Sequence, residues 1–194
     1  MYEHATVRAN NMLAFGEIAK GKNGQRYAPI HGEQVLKIET PVFIPFPADV
    51  YNGDQTATKC TVEYQTEDHE TIDMLKSLDE LVLTVCANRS VEMFGKALSK
   101  EALEERYVPM CRYREGQALP RLRSKIDLDA VRTWRDGVRI QTPEHRYKGC
   151  TAMVCATIRS LWFMNGSFGC TVQTTDIQLM TDPAGEVECP FCQA

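Results

Sequence analysis

Leu161-Trp162-Phe163-Met164-Asn165-Gly166-Ser167-Phe168-Gly169-Cys170-Thr171-Val172 is an apolar run that stops at Asn-Gly and then resumes. Asn-Gly supplies the two positive-φ residues of a type I′ turn, the strongest short signal for a β-hairpin. The flanking runs are long, Cys150 to Phe163 and Phe168 to Met180, so the C-terminal part of the chain is expected to be a long two-stranded ribbon. Working back from it, strands are expected over Gly137 to Thr142, Arg121 to Leu128, Cys111 to Arg114 and Thr58 to Tyr64. A further strand, Val35 to Thr40, is expected to stop at Pro41, and Val42 to Pro47 suits an edge or extended segment because of its prolines.

Two helices interrupt this series. Ile72, Leu75, Leu78 and Val82 recur at three- and four-residue steps after an acidic first turn, which predicts a helix over Asp68 to Leu83. Ser99 is placed to cap a second, Lys100 to Tyr107, ended by Pro109. Several antiparallel strands with helices inserted between two of them describe a mostly-β barrel with helical elaborations. Residues 1–181 read as a single domain, and 182–194 as a flexible, mildly acidic tail carrying Asp182, Glu186 and Glu188.

Charge is unevenly spread. The chain has 194 residues and a net charge of −4, yet Arg112 to Lys148 holds ten Lys and Arg against five acids, a net of +5 that leaves −9 elsewhere. A generally cationic binder is excluded, and affinity for a polyanion must be local. Within the segment, Leu119-Pro120-Arg121-Leu122-Arg123-Ser124-Lys125-Ile126 alternates basic with apolar or small residues. On a strand this aligns Arg121, Arg123 and Lys125 on one exposed face. A solvated strand face is the plain alternative.

Aromatic residues are interleaved with this charge at Tyr113, Trp134 and Tyr147. A basic groove with aromatic platforms is what single-stranded nucleic acid requires, because charge follows the backbone while rings stack on bases. Arg112 and Arg114 flank Tyr113 and would extend the track, unless they serve cross-strand ion pairs. Trp134 lies beside Arg135 in a polar stretch, and Lys96 is a loop candidate for phosphate. Trp162 and Phe163 are strand neighbours and face opposite ways, so at most one is a platform. Phe168 lies just across the turn, as a third ring for stacking or as a staple for the hairpin. The small barrel commonly used on oligonucleotides is the OB-fold.

Other chemistry finds little footing. GxxxxGK[ST], GxSxG and HExxH are absent from the sequence, and Asp127 with Asp129 forms a lone DxD at a strand end. Four scattered histidines form no triad. The eight cysteines do not read as a disulfide framework, and Cys189-Pro190-Phe191-Cys192 is a single CxxC, a weak zinc candidate that lacks a second pair. Neither cofactor nor enzymatic activity is expected. With no apolar run of membrane-spanning length and no leader-like start, a soluble intracellular protein is expected.

The blocks Asn88-Arg89-Ser90, Phe94-Gly95-Lys96, Leu98-Ser99-Lys100-Glu101, Tyr107-Val108-Pro109, Leu119 to Ile126 and Leu161 to Val172, in that order, resemble the OB-fold single-stranded DNA-binding proteins of nucleocytoplasmic large DNA viruses. Those are distantly similar to a short-tailed phage replication protein. The resemblance covers roughly residues 30 to 180. It implies a non-enzymatic protein that coats single-stranded DNA with little sequence preference during viral replication, recombination or repair, in a viral replication compartment of host cytoplasm or nucleus. Replication proteins and self-association are the further partners it suggests. Cys170 and Val172 stand where bulkier residues belong in the family, and the tail lacks a terminal acidic run, so recruitment through the tail is not inherited. The alternative class is a non-enzymatic scaffold whose barrel meets protein partners, its basic face against an acidic one.

Overall fold

The computed structural model describes residues 14–21, 24–50, 56–113, 116 and 118–181. In chain order its strands and helices are β1 (Ala14–Phe15), β2 (Ala19–Lys20), β3 (Arg26–Phe43), β4 (Lys59–Gln65), α1 (His69–Asn88), α2 (Ser90–Phe94), α3 (Lys100–Glu104), β5 (Tyr107–Val108), β6 (Cys111–Arg112), β7 (Arg121–Asp127), β8 (Arg132–Arg135), β9 (Val138–Ile140), β10 (Thr151–Met164) and β11 (Ser167–Thr181). The Asn-Gly signal is realised: Asn165 and Gly166 have φ of 50° and 79°, and the antiparallel ribbon runs from Met164↔Ser167 to Thr151↔Thr181.

Five long strands pair in a circuit. β7 runs antiparallel to β4 over its whole length, β4 meets β3 at Gln65↔Phe43, β3 lies along β10, and β10 along β11. β11 then pairs in parallel with β7 at Gln173↔Lys125 and Thr174↔Ile126, returning to the start. The same edge of β11 takes β5 at one end and β8 at the other. The three helices are inserted between β4 and β7, where the sequence predicts two.

Alternation builds the interior. Leu36, Ile38, Val62, Tyr64, Leu122, Ile126, Val154, Val172 and Ile177 point inward and form the main core. A second cluster lies where the helices meet the hairpin, joining Val82, Cys86, Met93, Leu103, Tyr107, Leu161 and Phe168. In α1 the predicted stripe of Ile72, Leu75, Leu78 and Val82 is buried, and Asp68 caps the helix by accepting from the Thr71 backbone N at 2.8 Å.

The long β3 departs from expectation, since it runs through both Pro29 and Pro41. Both prolines sit at irregularities of the β3–β10 ladder. Ile38 to Val42 spans four residues against Val154 to Ala152, and Gln34 to Pro29 spans five against Ile158 to Ser160. Bulged positions need no ladder N–H, so proline costs little there. The second predicted helix stops at Glu104, and Tyr107 enters β5 instead. Helix α2 and strand β8 are additional to the predicted elements, being five and four residues long. No described helix is long and apolar enough to cross a membrane. The tail and its Cys189 and Cys192 lie outside the described residues, as does Arg114.

Candidate nucleic-acid interface

A cleft of about 580 Å³ opens where β7, the β10–β11 hairpin and the segment from Val108 to Arg112 converge. Arg123, Ser124 and Lys125 come from β7, Trp162 and Met164 from β10, and Cys170, Thr171 and Val172 from β11, with Gln25 and Thr61 at the margin. Three cations line it, Arg112, Arg123 and Lys125, and no lining residue is acidic. Burial in the cleft wall, together with the neighbouring Arg123, holds the Lys125 ammonium below its usual pKa. An anion beside it would relieve both effects.

A hydrogen-bonded relay fixes the cleft floor. The buried Tyr64 hydroxyl lies 2.8 Å from Thr174 Oγ1, which donates to Ser124 Oγ at 2.9 Å, and Ser124 donates in turn to the Lys125 carbonyl at 3.1 Å. The relay crosses β4, β11 and β7 at the parallel junction that closes the circuit. Burial raises the Tyr64 pKa, so the phenol stays protonated and able to donate.

Trp162 is the aromatic wall. Its indole Nε1 donates to the Cys170 carbonyl at 3.3 Å, and the ring lies on the backbone of Gly169. A Cβ at Gly169 would come 2.9 Å from Trp162 Cζ2 and 2.8 Å from the Val108 carbonyl. Phe163 points the other way, into the helix-side cluster, with its ring 5.6 Å from Phe94 and the Arg26 guanidinium 5.7 Å away.

The opposite wall is held by Asp79 of α1. Its carboxylate accepts from the Tyr107 hydroxyl at 2.6 Å and from the Met110 backbone N at 3.2 Å, tying the helix to the segment that carries Val108, Met110 and Arg112. Burial outweighs these bonds and moves the Asp79 pKa up to about 6. Because the folded value lies above the unfolded one, the folded state binds more protons between about pH 4 and 6, and this group weakens the fold as pH rises through that window. The cost at neutral pH is on the order of 3 kcal/mol. Asp79→Asn is therefore expected to remove that downward slope, read by urea unfolding of both proteins from pH 4 to 7. Parallel profiles would contradict it.

Several sequence candidates are placed elsewhere. Arg121 is 7% exposed and pairs with Glu63 at 2.8 Å, beneath the ring of Phe46, so it does not share the open face of Arg123 and Lys125. Replacing Arg121 by Ala would leave Glu63 without this partner and is expected to cost on the order of 3 kcal/mol, whereas Arg123→Ala is expected to stay within about 0.5 kcal/mol. Chemical denaturation of the two variants checks this; equal stabilities would contradict the assignment. Phe168 is fully buried, its ring 5.1 Å from Phe94 and 5.2 Å from Tyr107, which leaves no face for a base. Tyr147 is likewise a core residue, bonded at 2.7 Å to Thr133.

Trp134 stands half-buried in β8, with its Nε1 3.3 Å from Asp176, and lines a separate hollow of about 370 Å³ with Lys37, Glu39 and Cys155. Burial alone would raise the Asp176 pKa, but hydrogen bonds from Arg132, Thr175 and Trp134 bring it below the usual range. Arg135 is half-buried at the end of β8. Tyr113 is 60% exposed just beyond β6, and Lys96 is exposed after α2; neither lines the cleft. Asp127 Oδ1 accepts from the Asp129 backbone N at 3.2 Å, closing the turn after β7. Among the described residues, no three His, Cys, Asp or Glu are grouped to hold a metal ion.

Gln25, Thr61 and the buried relay belong to the cleft without any sequence pattern that marks them. Gly169 did carry a signal, since a glycine inside a strand marks close backbone approach.

No protein-family model matches the chain, and no curated protein sequence does. Solved structures do. The single-stranded DNA-binding protein from bacteriophage Enc34 superposes with a TM-score of 0.51 at 12% identity, over 90% of this chain and 95% of the phage chain. A C-terminal truncation of it gives 0.51 at 10% identity, over 85% and 95%. Its complex with ssDNA aligns at 0.48 and 12% identity, over 88% and 98%. At such identities the likeness is one of fold, and the chain is therefore a mostly-β protein with the fold of the phage single-stranded DNA-binding protein, distant from it in sequence.

Proposed function

We propose that the chain is a non-enzymatic single-stranded DNA-binding protein of OB type, which coats exposed strands with little sequence preference. The observation that carries this is the composition of the cleft: three cations, no acid, and a tryptophan seated on glycine. Arg112, Arg123 and Lys125 take phosphates and release counterions, while Trp162 stacks on a base, a contact that tolerates sequence because every base has a π-face. The circuit β3-β4-β7-β11-β10 supports the OB reading, because β4 and β7, its second and third strands, present the face on which such barrels bind oligonucleotides. Work in viral replication, recombination or repair, and membership of the large-DNA-virus family, extend the same reading from the order of the sequence blocks.

Tryptophan emission tests it. Adding oligo(dT) is expected to quench the emission, and the quenching should persist in Trp134→Phe and vanish in a folded Trp162→Phe variant. Quenching that depends on Trp134 instead would move the site to the other hollow, and binding with no quenching would contradict stacking on Trp162.

A further inference from the structure

A further exposed aromatic ring lies against β7, outside the cleft. Phe46 follows β3 between Pro45 and Pro47, so its backbone is stiffened on both sides, and its side chain is 47% exposed. An isolated exposed phenylalanine needs no explanation. This one is backed by a cation: the Arg121 guanidinium lies 4.8 Å from the ring centroid, close enough for a cation–π contact.

Arg121 is unusual in its own right. It is more than nine-tenths buried, Glu63 neutralises it through Nη1 at 2.8 Å, and its Nε has no acceptor among the described residues. A buried guanidinium with an unmet donor is costly, and besides its ion pair with Glu63 this one lies against the Phe46 ring. Arg112 lies directly across from Arg121 in the β6–β7 pair, and Arg112 and Arg123 already line the cleft. Phe46 thus extends a line of charge along β7, and Arg121 is four residues from Lys125, about 13 Å on a strand.

We propose that Phe46, held by Arg121, is a second base-stacking platform, which takes a nucleotide of the same bound strand beyond the cleft. The occupant is a single-stranded nucleobase with its phosphate. A neutral protein side chain would not call for the run of cations beside it, and a duplex offers no free base face. This rests on the single-strand reading of the cleft and lengthens its footprint. Arg121 acts here through Phe46 and is a positioning residue.

The test compares Phe46→Leu, Phe46→Trp and wild type by anisotropy of labelled oligo(dT) across a salt series. Leucine keeps an apolar cover over Arg121 and Glu63 but cannot stack. Stacking predicts that Phe46→Leu loses about 5- to 150-fold in affinity with an unchanged salt slope, while Phe46→Trp binds at least as well as wild type. Wild-type affinity in Phe46→Leu would overturn the platform and leave the cleft reading intact, provided Trp162 quenching persists. Equal losses in the leucine and tryptophan variants would assign Phe46 to shape alone and also overturn it. Absence of oligo(dT) binding by the wild-type protein would remove both readings together.

Discussion

Replacing Arg112, Arg123 and Lys125 together by alanine is expected to lower affinity for oligo(dT) about a hundredfold at 0.1 M salt and to flatten the salt dependence by roughly two units. Each phosphate contact on a single strand contributes about 0.7 to that slope, so three contacts account for it. The loss should be uniform across base composition, because phosphates carry no sequence. Arg112 and Arg123 are exposed and Lys125 sits at the cleft wall, so the fold should survive the change, and unfolding by urea checks this independently. A folded triple variant with wild-type slope would mean that the cleft does not hold phosphate.

The second large effect is expected at Gly169. An alanine there meets the Val108 carbonyl and the Trp162 ring, and neither is the free end of a flexible side chain. Either β5 leaves β11 or the indole leaves its seat. Both outcomes damage the aromatic wall, so Gly169→Ala is expected to lose tenfold or more in oligo(dT) affinity, together with most of the tryptophan quenching, and about 1–3 kcal/mol of stability. Gly166→Ala is the matched comparison. Its Cβ points into open space, and the cost comes from φ of 79° alone, about 1 kcal/mol. That variant should be weaker in fold and unchanged in affinity. Equal affinities for Gly169→Ala and wild type would remove Trp162 from the interface.

The elements most legible in the sequence were those whose signals are local. The Asn-Gly turn, the 3.6-residue stripe of α1 and the alternation of β7 depend on residues within a few positions of one another, and each appears where its pattern lies. β3 was half legible, because Pro41 reads as a stop and only the bulged pairing with β10 explains why the strand continues. Short β8 gains its place by pairing with β11, about 40 residues away, which no local pattern encodes.

The candidate interface divides on the same principle. Alternation sets Arg121 with Arg123 and Lys125 on one exposed face, but it cannot reveal that Glu63 and Phe46 cover the first of them. Periodicity set Trp162 against Phe163, and the choice between them was made by packing, since Phe94 and Phe168 claim Phe163 for the second core. For Phe168 the adjoining turn leaves open a stacking ring or a hairpin staple, and only the packing of Val82, Cys86, Met93 and Leu103, far away in sequence, buries it. Trp134 drew attention through its arginine neighbours, and its place in β8 puts it on a different hollow.

The central claim is that the cleft takes a single strand in preference to a duplex, and competition measures this directly. Labelled oligo(dT) bound to the full chain is titrated with unlabelled oligo(dT) or with blunt duplex of equal length. The account predicts that the single strand displaces the label while the same concentration of duplex leaves most of it bound. Equal displacement by the two, or no initial binding, would contradict it.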